Sequence, residues 1–327
     1  MKLCKQHQLI AILIMVLLVM GCSSEKTAQK EGSLKGEYIT ILTGGSSGVY
    51  FPLGGTLAKL YQEKLSAVAT SQSTAASAEN ATKLNQKKAE VGFLMGDTAL
   101  DAYKGIDSFE QTGAQKNLRS IAALYPNYLQ IATIKNRNIT SITELKGKRL
   151  AVGAPGSGTE ISAKRVLEAY DMTYDDVKVD YLSFAEGIDG MKNGTVDAVV
   201  ISSGIPNSGL LELATTEEVV ILEIEEENIH KINGKYPSFF STIIPEGTYA
   251  GQEQDVNTIG VYNVLLTHKD VSENTVYLMT KTMFEHIEEL KDTHHAAKDI
   301  DVNKARENLP APLHPGAEKY FTELNSK

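Results

Sequence analysis

The sequence predicts an α/β protein of two lobes, in which mostly parallel sheets with flanking helices are joined by a hinge. Short apolar strands alternate with amphipathic helices, a rhythm typical of parallel sheets covered by helices. Beyond its N-terminal segment the chain keeps roughly 290 residues, more than one average domain. A predicted strand at 258–266 is long enough to return from one lobe to the other.

The first lobe is predicted to open with a βαβαβ pattern. Leu53, Leu57 and Leu60 recur at helical spacing, whereas the run at 91–95 is short and apolar, as in a buried strand. In chain order we predict strands at 38–42, 91–95 and 121–124, which alternate with helices at 53–65, 77–88 and 97–103.

The second half repeats this rhythm, and a helical tail follows it. We predict strands at 129–134, 149–152, 179–182, 197–201 and 219–222, helices at 141–145 and 159–170, and tail helices at 272–290, 294–308 and 315–324. Hinges are expected near 124–127 and 249–257. The first lobe then comprises 37–125 plus 260–327, and the second lobe comprises 126–259.

Residues 1–21 have the features of a lipoprotein signal peptide. A basic start precedes an apolar run at 10–20, which is shorter than the roughly 20 residues of a membrane span. The sequence Val-Met-Gly-Cys at 19–22 matches a lipobox, so we expect cleavage before Cys22 and a lipid on its sulfur. A polar tether at 22–36 would link the lipid to the folded part. The protein would then be extracytoplasmic and lipid-anchored to the cell membrane.

The composition argues against several classes of function. The formal net charge is −9, which disfavours nucleic acid as a partner. The only cysteines in the sequence are Cys4 and Cys22, so the folded part has no thiol for a disulfide, a metal site or a nucleophile. The histidines show no metal-ligand spacing. We therefore expect no metal, no cofactor and no catalytic residue.

Three loops of Gly, Ser and Thr each lie between a predicted strand and a predicted helix, at 44–50, 73–77 and 153–159. The first N–H groups of a helix have no partner within it, and the helix dipole places partial positive charge there. Glycine lets the backbone come close to a ligand, while Ser and Thr hydroxyls add donors. The loops therefore predict a site for carboxylate or phosphate groups that is built without basic side chains.

Three residues near these loops each have two interpretations. The Tyr50 hydroxyl can donate to a ligand, or the ring can pack in the core. Asp97 can cap the helix that follows it, or accept a hydrogen bond from a ligand's ammonium group. Ser203 lies at the carboxyl end of a predicted strand, where ligands bind in open parallel sheets, although a structural role fits the same position.

Two catalytic interpretations depend on the same loops. The segment 44–48 matches the G-x-S-x-G pattern of a hydrolase nucleophile, so an envelope serine hydrolase using Ser46 is an alternative function. However, 49–52 separates that serine from its helix. The loop 153–159 is similar to a P-loop, but Thr159 stands where the phosphate-binding lysine belongs. Binding is therefore favoured over catalysis.

Several motifs together resemble the TAXI family of TRAP-transporter solute-binding proteins, from about Tyr38 to about Phe321. The segments that carry the resemblance are 43–55 (TGGSSGVYFPLGG), 72–74 (QST), 79–80 (EN), 152–160 (VGAPGSGTE), 244–249 (IPEGTY) and 313–317 (LHPGA). One departure is visible. The family usually has Ser-Thr-Gly-Gly-Ser in the second loop, where this chain has Ala75 and Ala76 in place of the two glycines.

The resemblance implies a type II periplasmic-binding-protein fold that captures a small organic acid, or an acidic or amide amino acid similar to glutamate or glutamine, between its lobes. It implies as partner the permease subunits of a TRAP transporter, which an ion gradient drives. A ligand-binding sensor lipoprotein without transport is a further alternative. The expected ligand-binding residues are those implied by the resemblance together with Asp97: Gly45, Ser46, Tyr50, Ser73, Thr74, Asp97, Ser157, Gly158, Thr159 and Ser203.

Overall fold

The computed structural model describes residues 32–326. The predicted signal peptide, Cys22 and the tether up to residue 31 lie outside the described residues. All the elements below belong to one compact unit, Leu34–Lys327. None of the helices within 32–326 combines the length and the hydropathy that a membrane span requires.

The described residues contain ten strands that form one mixed sheet. They are β1 (Tyr38–Leu42), β2 (Val68–Gln72), β3 (Val91–Met95), β4 (Leu118–Ile134), β5 (Arg149–Ala151), β6 (Lys178–Asp180), β7 (Ala198–Ser203), β8 (Val219–Leu222), β9 (Phe239–Ile244) and β10 (Val256–His268). The order across the sheet is β2-β1-β3-β10-β4-β7-β5-β6, while β8 pairs with β4 and β9 with β10. β1 is parallel to β2 and β3, and β5 is parallel to β6 and β7.

Ten α-helices cover the sheet within the described residues. They are α1 (Tyr50–Leu65), α2 (Ser77–Asn85), α3 (Gly96–Lys104), α4 (Gly158–Ala169), α5 (Phe184–Lys192), α6 (Ser208–Leu213), α7 (Glu226–Lys235), α8 (Glu273–Glu285), α9 (Ile287–Thr293) and α10 (Pro315–Leu324). Short 3₁₀ segments occur at Asp107–Phe109, Lys135–Arg137, Ile142–Leu145, Tyr174–Asp176 and His295–Asp299. The tail helix predicted at 294–308 is wrong, because only its start forms a 3₁₀ turn.

Two long antiparallel strands join the halves of the sheet. β4 has 17 residues and β10 has 13, and they pair with each other along much of their length. β10 also pairs with β3, while the second part of β4 pairs with β7 and β8. The α/β fold class with two lobes is confirmed. The lobe boundaries at 125/126 and 259/260 stay a prediction.

Each half of the sheet carries apolar side chains on both faces. Phe93 and Leu94 belong to different clusters, and so do Ile131 and Ala132, because successive side chains of a strand point to opposite faces. The clusters beside β1 and β3 are covered by α1, α8 and α10 on one face and by α2 and α3 on the other. The unit Leu34–Lys327 thus encloses its own cores, and we expect it to fold by itself.

Candidate ligand-binding site

A cavity lies at the carboxyl ends of the strands, between the two halves of the sheet. The loops after β1, β2, β5 and β6 line it, together with parts of β3, β4 and β7. Its volume is about 80 Å³. A single water needs roughly 10–15 Å³ on the same measure, so the cavity has room for a small ligand.

Five helices of eight or more residues begin at this cavity. The first residues of four helices line it, namely Tyr50 of α1, Ser77 of α2, Gly158 of α4 and Phe184 of α5. The N-cap of α3, Met95, lines it as well. Each helix start contributes partial positive charge, about half a unit for a full macrodipole. The sequence predicted three of these starts as anion sites, namely those of α1, α2 and α4. It predicted the start of α3 near Asp97 without that role, and it missed α5.

No Lys, Arg, His, Asp or Glu is present among the described residues that line the cavity. The electrostatic field inside it therefore comes from backbone dipoles and from neutral donors. Such a cavity favours an anion over a cation, because a cation would meet positive helix ends without a carboxylate partner.

The start of α4 offers free donors to the cavity. Ser157 caps the helix by accepting a hydrogen bond from the Glu160 amide at 3.1 Å. The amides of Gly158 and Thr159 make no hydrogen bond within residues 32–326, and both residues line the cavity. Their N–H groups are thus available to an anionic oxygen.

The start of α2 differs, because its amides are already bonded. Ala78 and Glu79 donate to the Gly156 carbonyl oxygen at 3.1 and 3.2 Å. Ala75 donates to the Glu79 carboxylate at 2.7 Å, and Ala76 donates to the Thr74 hydroxyl at 3.0 Å. The second loop and the start of α2 therefore act on the cavity through the helix dipole and through side chains. These four amides are not available to a ligand, because they are bonded within the protein.

The structure brings most of the expected ligand-binding residues together at the cavity. Ser46, Ser73 and Asp97 do not line it. Ser46 is exposed, and the Ser73 hydroxyl donates to the Gly44 carbonyl at 2.8 Å, which ties the first two loops together. The expected residues that do line the cavity are Gly45, Tyr50, Thr74, Ser157, Gly158, Thr159 and Ser203.

Asp97 points away from the cavity and accepts a hydrogen bond from Arg165 at 2.7 Å. It is 2% exposed. Burial raises the pKa of Asp97, against the attraction of the Arg165 guanidinium. The expectation that this carboxylate would accept from a ligand ammonium is corrected by this geometry, because the carboxylate is already paired.

A buried network of amide side chains forms the floor of the cavity. The Tyr50 hydroxyl donates to Asn263 Oδ1, so in this structure it is not free for a ligand. Asn263 Nδ2 donates to Asn127 Oδ1 at 2.7 Å, and Asn127 Nδ2 donates to the Ser202 carbonyl at 3.0 Å. Burial raises the pKa of Tyr50 well above its usual range, which keeps the hydroxyl neutral. Sequence reasoning missed Asn127 and Asn263, which are 136 residues apart.

Asn80 holds the first and second loops on the sheet. It is fully buried, and its Nδ2 donates to the carbonyls of Thr43 and Phe93 at 2.7 and 2.9 Å. Its Oδ1 lies 2.7 Å from the Thr74 hydroxyl. These contacts join the ends of β1 and β3 to α2, and they fix the loops that line the cavity.

In the described residues, Ser46 has no general base beside it, as the hydrolase interpretation would require. No hydrogen bond joins Ser46 to a histidine or a carboxylate within residues 32–326, and none of the described cavity-lining residues is a histidine. His294 and His314 instead cap helical segments by accepting hydrogen bonds from the Ala296 and Gly316 amides. In the part of the chain that the structure describes, no His, Cys, Asp or Glu cluster could hold a metal ion.

Comparison with known proteins places the chain in a family. The profile of the NMT1-like family matches residues 41–324. The chain belongs to the NMT1-like family. The match covers every helix start at the cavity. It does not test the narrower resemblance to TAXI proteins, which stays a prediction.

Solved structures show the same fold at low sequence identity. One is PhnD1 from Prochlorococcus marinus, solved with methylphosphonate, which is 13% identical to this NMT1-like chain. The alignment covers 89% of this chain and 99% of PhnD1, with a TM-score of 0.55. A putative L-cystine ABC transporter protein from Listeria monocytogenes is 14% identical, with 81% and 98% covered and a TM-score of 0.50. A protein from Bordetella bronchiseptica is 16% identical, with 88% and 82% covered and a TM-score of 0.52. These likenesses concern the periplasmic-binding-protein fold.

Proposed function

We propose that the protein is an extracytoplasmic solute-binding protein that captures a small organic acid in the cavity and delivers it to a membrane transporter. The observation that carries this proposal is the convergence of five helix starts on a cavity whose described lining residues are all uncharged. Backbone amides and hydroxyls hold the carboxylate there. Charge-assisted hydrogen bonds of this kind contribute roughly 1.5–3 kcal/mol each, and three or four of them suit micromolar affinity, about −8 kcal/mol.

An organic acid fits the cavity better than an amino acid does. An amino acid similar to glutamate or glutamine brings an ammonium group, which needs an acceptor with negative charge. Asp97 is paired with Arg165, and the remaining acceptors at the cavity are neutral oxygens such as those of Ser202 and Ser203. The methylphosphonate in the structure of PhnD1 is likewise a small anion without an ammonium group.

We further propose that the transporter is of the TRAP type and that a lipid on Cys22 keeps the protein at the membrane. The TRAP proposal rests on the resemblance of segments 43–55 and 152–160 to TAXI proteins. The lipid proposal rests on the lipobox at 19–22. A membrane anchor and a flexible tether would raise the concentration of loaded protein near the permease.

Native mass spectrometry tests the binding function. The protein is purified as residues 23–327, which contain the whole compact unit. We expect a co-purified small acid to appear as a mass difference. Isothermal titration calorimetry with succinate, 2-oxoglutarate and L-glutamate then gives affinities, and we expect a carboxylic acid to bind more tightly than L-glutamate. Absence of any bound mass and of any titration heat would contradict the proposal.

A pair of variants locates the site. Thr159 contributes a free amide and a hydroxyl at the cavity, whereas Ser46 is exposed outside it. We expect Thr159→Val to weaken binding of the acid about tenfold, because a lost hydrogen bond to a charged group costs at least about 1.4 kcal/mol. Ser46→Ala is the matched control and should bind as the wild type does. Equal affinities for both variants would remove the loop of α4 from the site.

A further inference from the structure

Within residues 32–326, polar contacts join the two lobes around the cavity at three places. On one side, Asn207 Nδ2 and the Ser208 hydroxyl each donate to the Ser47 carbonyl at 3.1 Å. On another, the Gly156 carbonyl accepts the first amides of α2. The third contact is ionic. Arg165 on α4 meets carboxylates that follow β3 in the other lobe.

The ionic contact is a single guanidinium among three carboxylates. Arg165 Nη1 lies 2.7 Å from Asp97, and its Nη2 lies 2.7 Å from Asp107 and also donates to Asp101. The aromatic ring of Tyr236 covers the guanidinium, with its centroid 4.2 Å away. Arg165 is 3% exposed and Asp97 is 2% exposed, whereas the Asp107 side chain is 34% exposed, so water reaches one edge of the contact.

None of these four charged residues lines the cavity. Arg165 nevertheless lies on the same helix as Gly158 and Thr159, about two turns further along. Asp97 lies two residues beyond Met95, which does line the cavity. Because helices move as rigid bodies, the approach of the two lobes that forms the cavity also assembles the ionic contact.

We propose that Arg165 and the aspartates Asp97, Asp101 and Asp107 form a closure latch, which sets the fraction of closed protein and thereby the affinity for solute without contacting it. The role of closure in capturing a solute rests on the proposed function, whereas the latch itself does not. The four side chains act as positioning residues. When the lobes separate, each side chain returns to water, so the latch is an interaction that only the closed form makes.

The charges of the latch determine whether removal of Arg165 favours the closed or the open form. With Arg165 removed, closing would bring three carboxylates together, two of them buried, which is costly. Burial lowers the pKa of the Arg165 guanidinium, but the attraction of Asp97 and Asp101 outweighs it and the pKa is raised overall. The guanidinium therefore stays charged in the latch. Loss of its charge disfavours the closed form.

Single-molecule fluorescence energy transfer tests the latch without any ligand. Residues 23–327 contain no cysteine, so Lys59→Cys on α1 and Lys178→Cys on β6 give one exposed labelling site in each lobe. We expect Arg165→Gln to lower the ratio of closed to open molecules at least tenfold, and Arg165→Lys to restore part of it. The matched control is Arg149→Gln, because Arg149 pairs with Asp180 within one lobe.

Gly158→Ala provides the open reference. A Cβ there would lie 2.7 Å from Met95 Sδ and 2.8 Å from Thr98 Oγ1, both in the opposite lobe. If the wild type transfers energy like Gly158→Ala, or if Arg165→Gln keeps the wild-type ratio, the latch proposal is overturned. Should Arg165→Gln fail to fold by circular dichroism, Arg165→Lys takes its place, because it keeps the charge but cannot contact all three carboxylates with the same planar group, and a wild-type ratio in that variant overturns the proposal. A failed search for a bound acid leaves this measurement unaffected.

Discussion

At the scale of single residues, Ala76 adopts a conformation that L-residues seldom adopt. Its φ is +77° and its ψ is −134°. Left-handed backbone costs an L-residue roughly 1–3 kcal/mol and persists only when the surroundings impose it. Here the Thr74 hydroxyl accepts from the Ala76 amide, and the next residue begins α2. The cavity wall thus contains a strained residue.

We expect Ala76→Gly to stabilise the protein. Glycine adopts positive φ without the steric cost, although it loses up to about 1 kcal/mol through the greater freedom of the unfolded chain. The net gain is about 1 kcal/mol, or about 2 °C in the midpoint of thermal unfolding. The neighbouring change Ala75→Gly is the control, because Ala75 has no positive φ and should only lose stability. Differential scanning calorimetry of both variants decides, and a lower midpoint for Ala76→Gly would contradict the argument.

Asp97 shows which residue roles a sequence can predict. Its place next to a helix start is visible in the sequence, and so are the two interpretations of a cap and an ammonium acceptor. Its partner Arg165 lies 68 residues further along, in the other lobe, and nothing local to either residue predicts the pair. The position of Gly158 and Thr159 at the cavity was predictable, because it depends on the adjacent loop and helix. Asn127 and Asn263 were missed for the same reason as Arg165.

At the scale of elements, the helices and strands with strong local patterns were predicted well. β1, β3 and α2 begin where the sequence indicates. β4 was predicted as two strands, because Pro126 interrupts the apolar pattern, yet the strand continues through it. The structure allows this because Pro126 stands opposite Tyr262, next to a register shift between β4 and β10. A proline is tolerated at such an irregularity, since its missing N–H is not needed there.

The packing of α1 on β1 depends on one of two adjacent glycines. A Cβ at Gly54 would lie 2.3 Å from Thr43 Cγ2. Thr43 cannot easily turn away, because its hydroxyl donates to the Gln72 carbonyl at 2.9 Å. At Gly55 a Cβ would meet nothing within 4 Å.

Alanine at Gly54 and alanine at Gly55 are expected to change the stability of the protein in opposite directions. We expect Gly54→Ala to destabilise the protein by about 1–3 kcal/mol through overpacking, and to weaken acid binding by shifting the start of α1. Gly55→Ala should stabilise by about 0.5–1 kcal/mol, since alanine favours a helix more than glycine does. Urea unfolding measures both free energies. Two changes of the same sign would show that the close contact with Thr43 does not matter.

At the scale of the whole molecule, the α/β class with two lobes followed from the alternation of elements, while the way the lobes meet did not. The strands β4 and β10 carry no local sign of the pairing that joins the halves of the sheet. Contacts across the cleft join distant residues, such as Ser47 and Asn207, which are 160 residues apart. The spacing of apolar residues predicts which face of a helix or strand is buried. It does not predict which distant element packs against that face.

The closure latch predicts how pH acts on the lobes. The pKa of Asp101 is raised to about 6, mainly by burial. Attraction to Arg165 opposes this rise, and repulsion from the charges of Asp97 and Asp107 adds to it. In the open form, hydration returns this pKa towards its usual 3.8. The closed form therefore binds the proton more tightly, and its added stability is complete below about pH 4 and lost as the pH rises through about 6.

We expect the ratio of closed to open molecules to rise severalfold between pH 7 and pH 5, measured by energy transfer between the labels at positions 59 and 178. The other charged groups near the latch, Glu168 and Lys235, form an ion pair of their own, and a side-chain hydrogen bond from Lys235 lowers the pKa of Glu168 against its burial. Asp101→Asn should weaken the dependence on pH, and Asp97, whose pKa burial also raises, accounts for the remainder. A ratio that falls towards pH 5, or a dependence that keeps its full size in Asp101→Asn, would mean that another group controls closure.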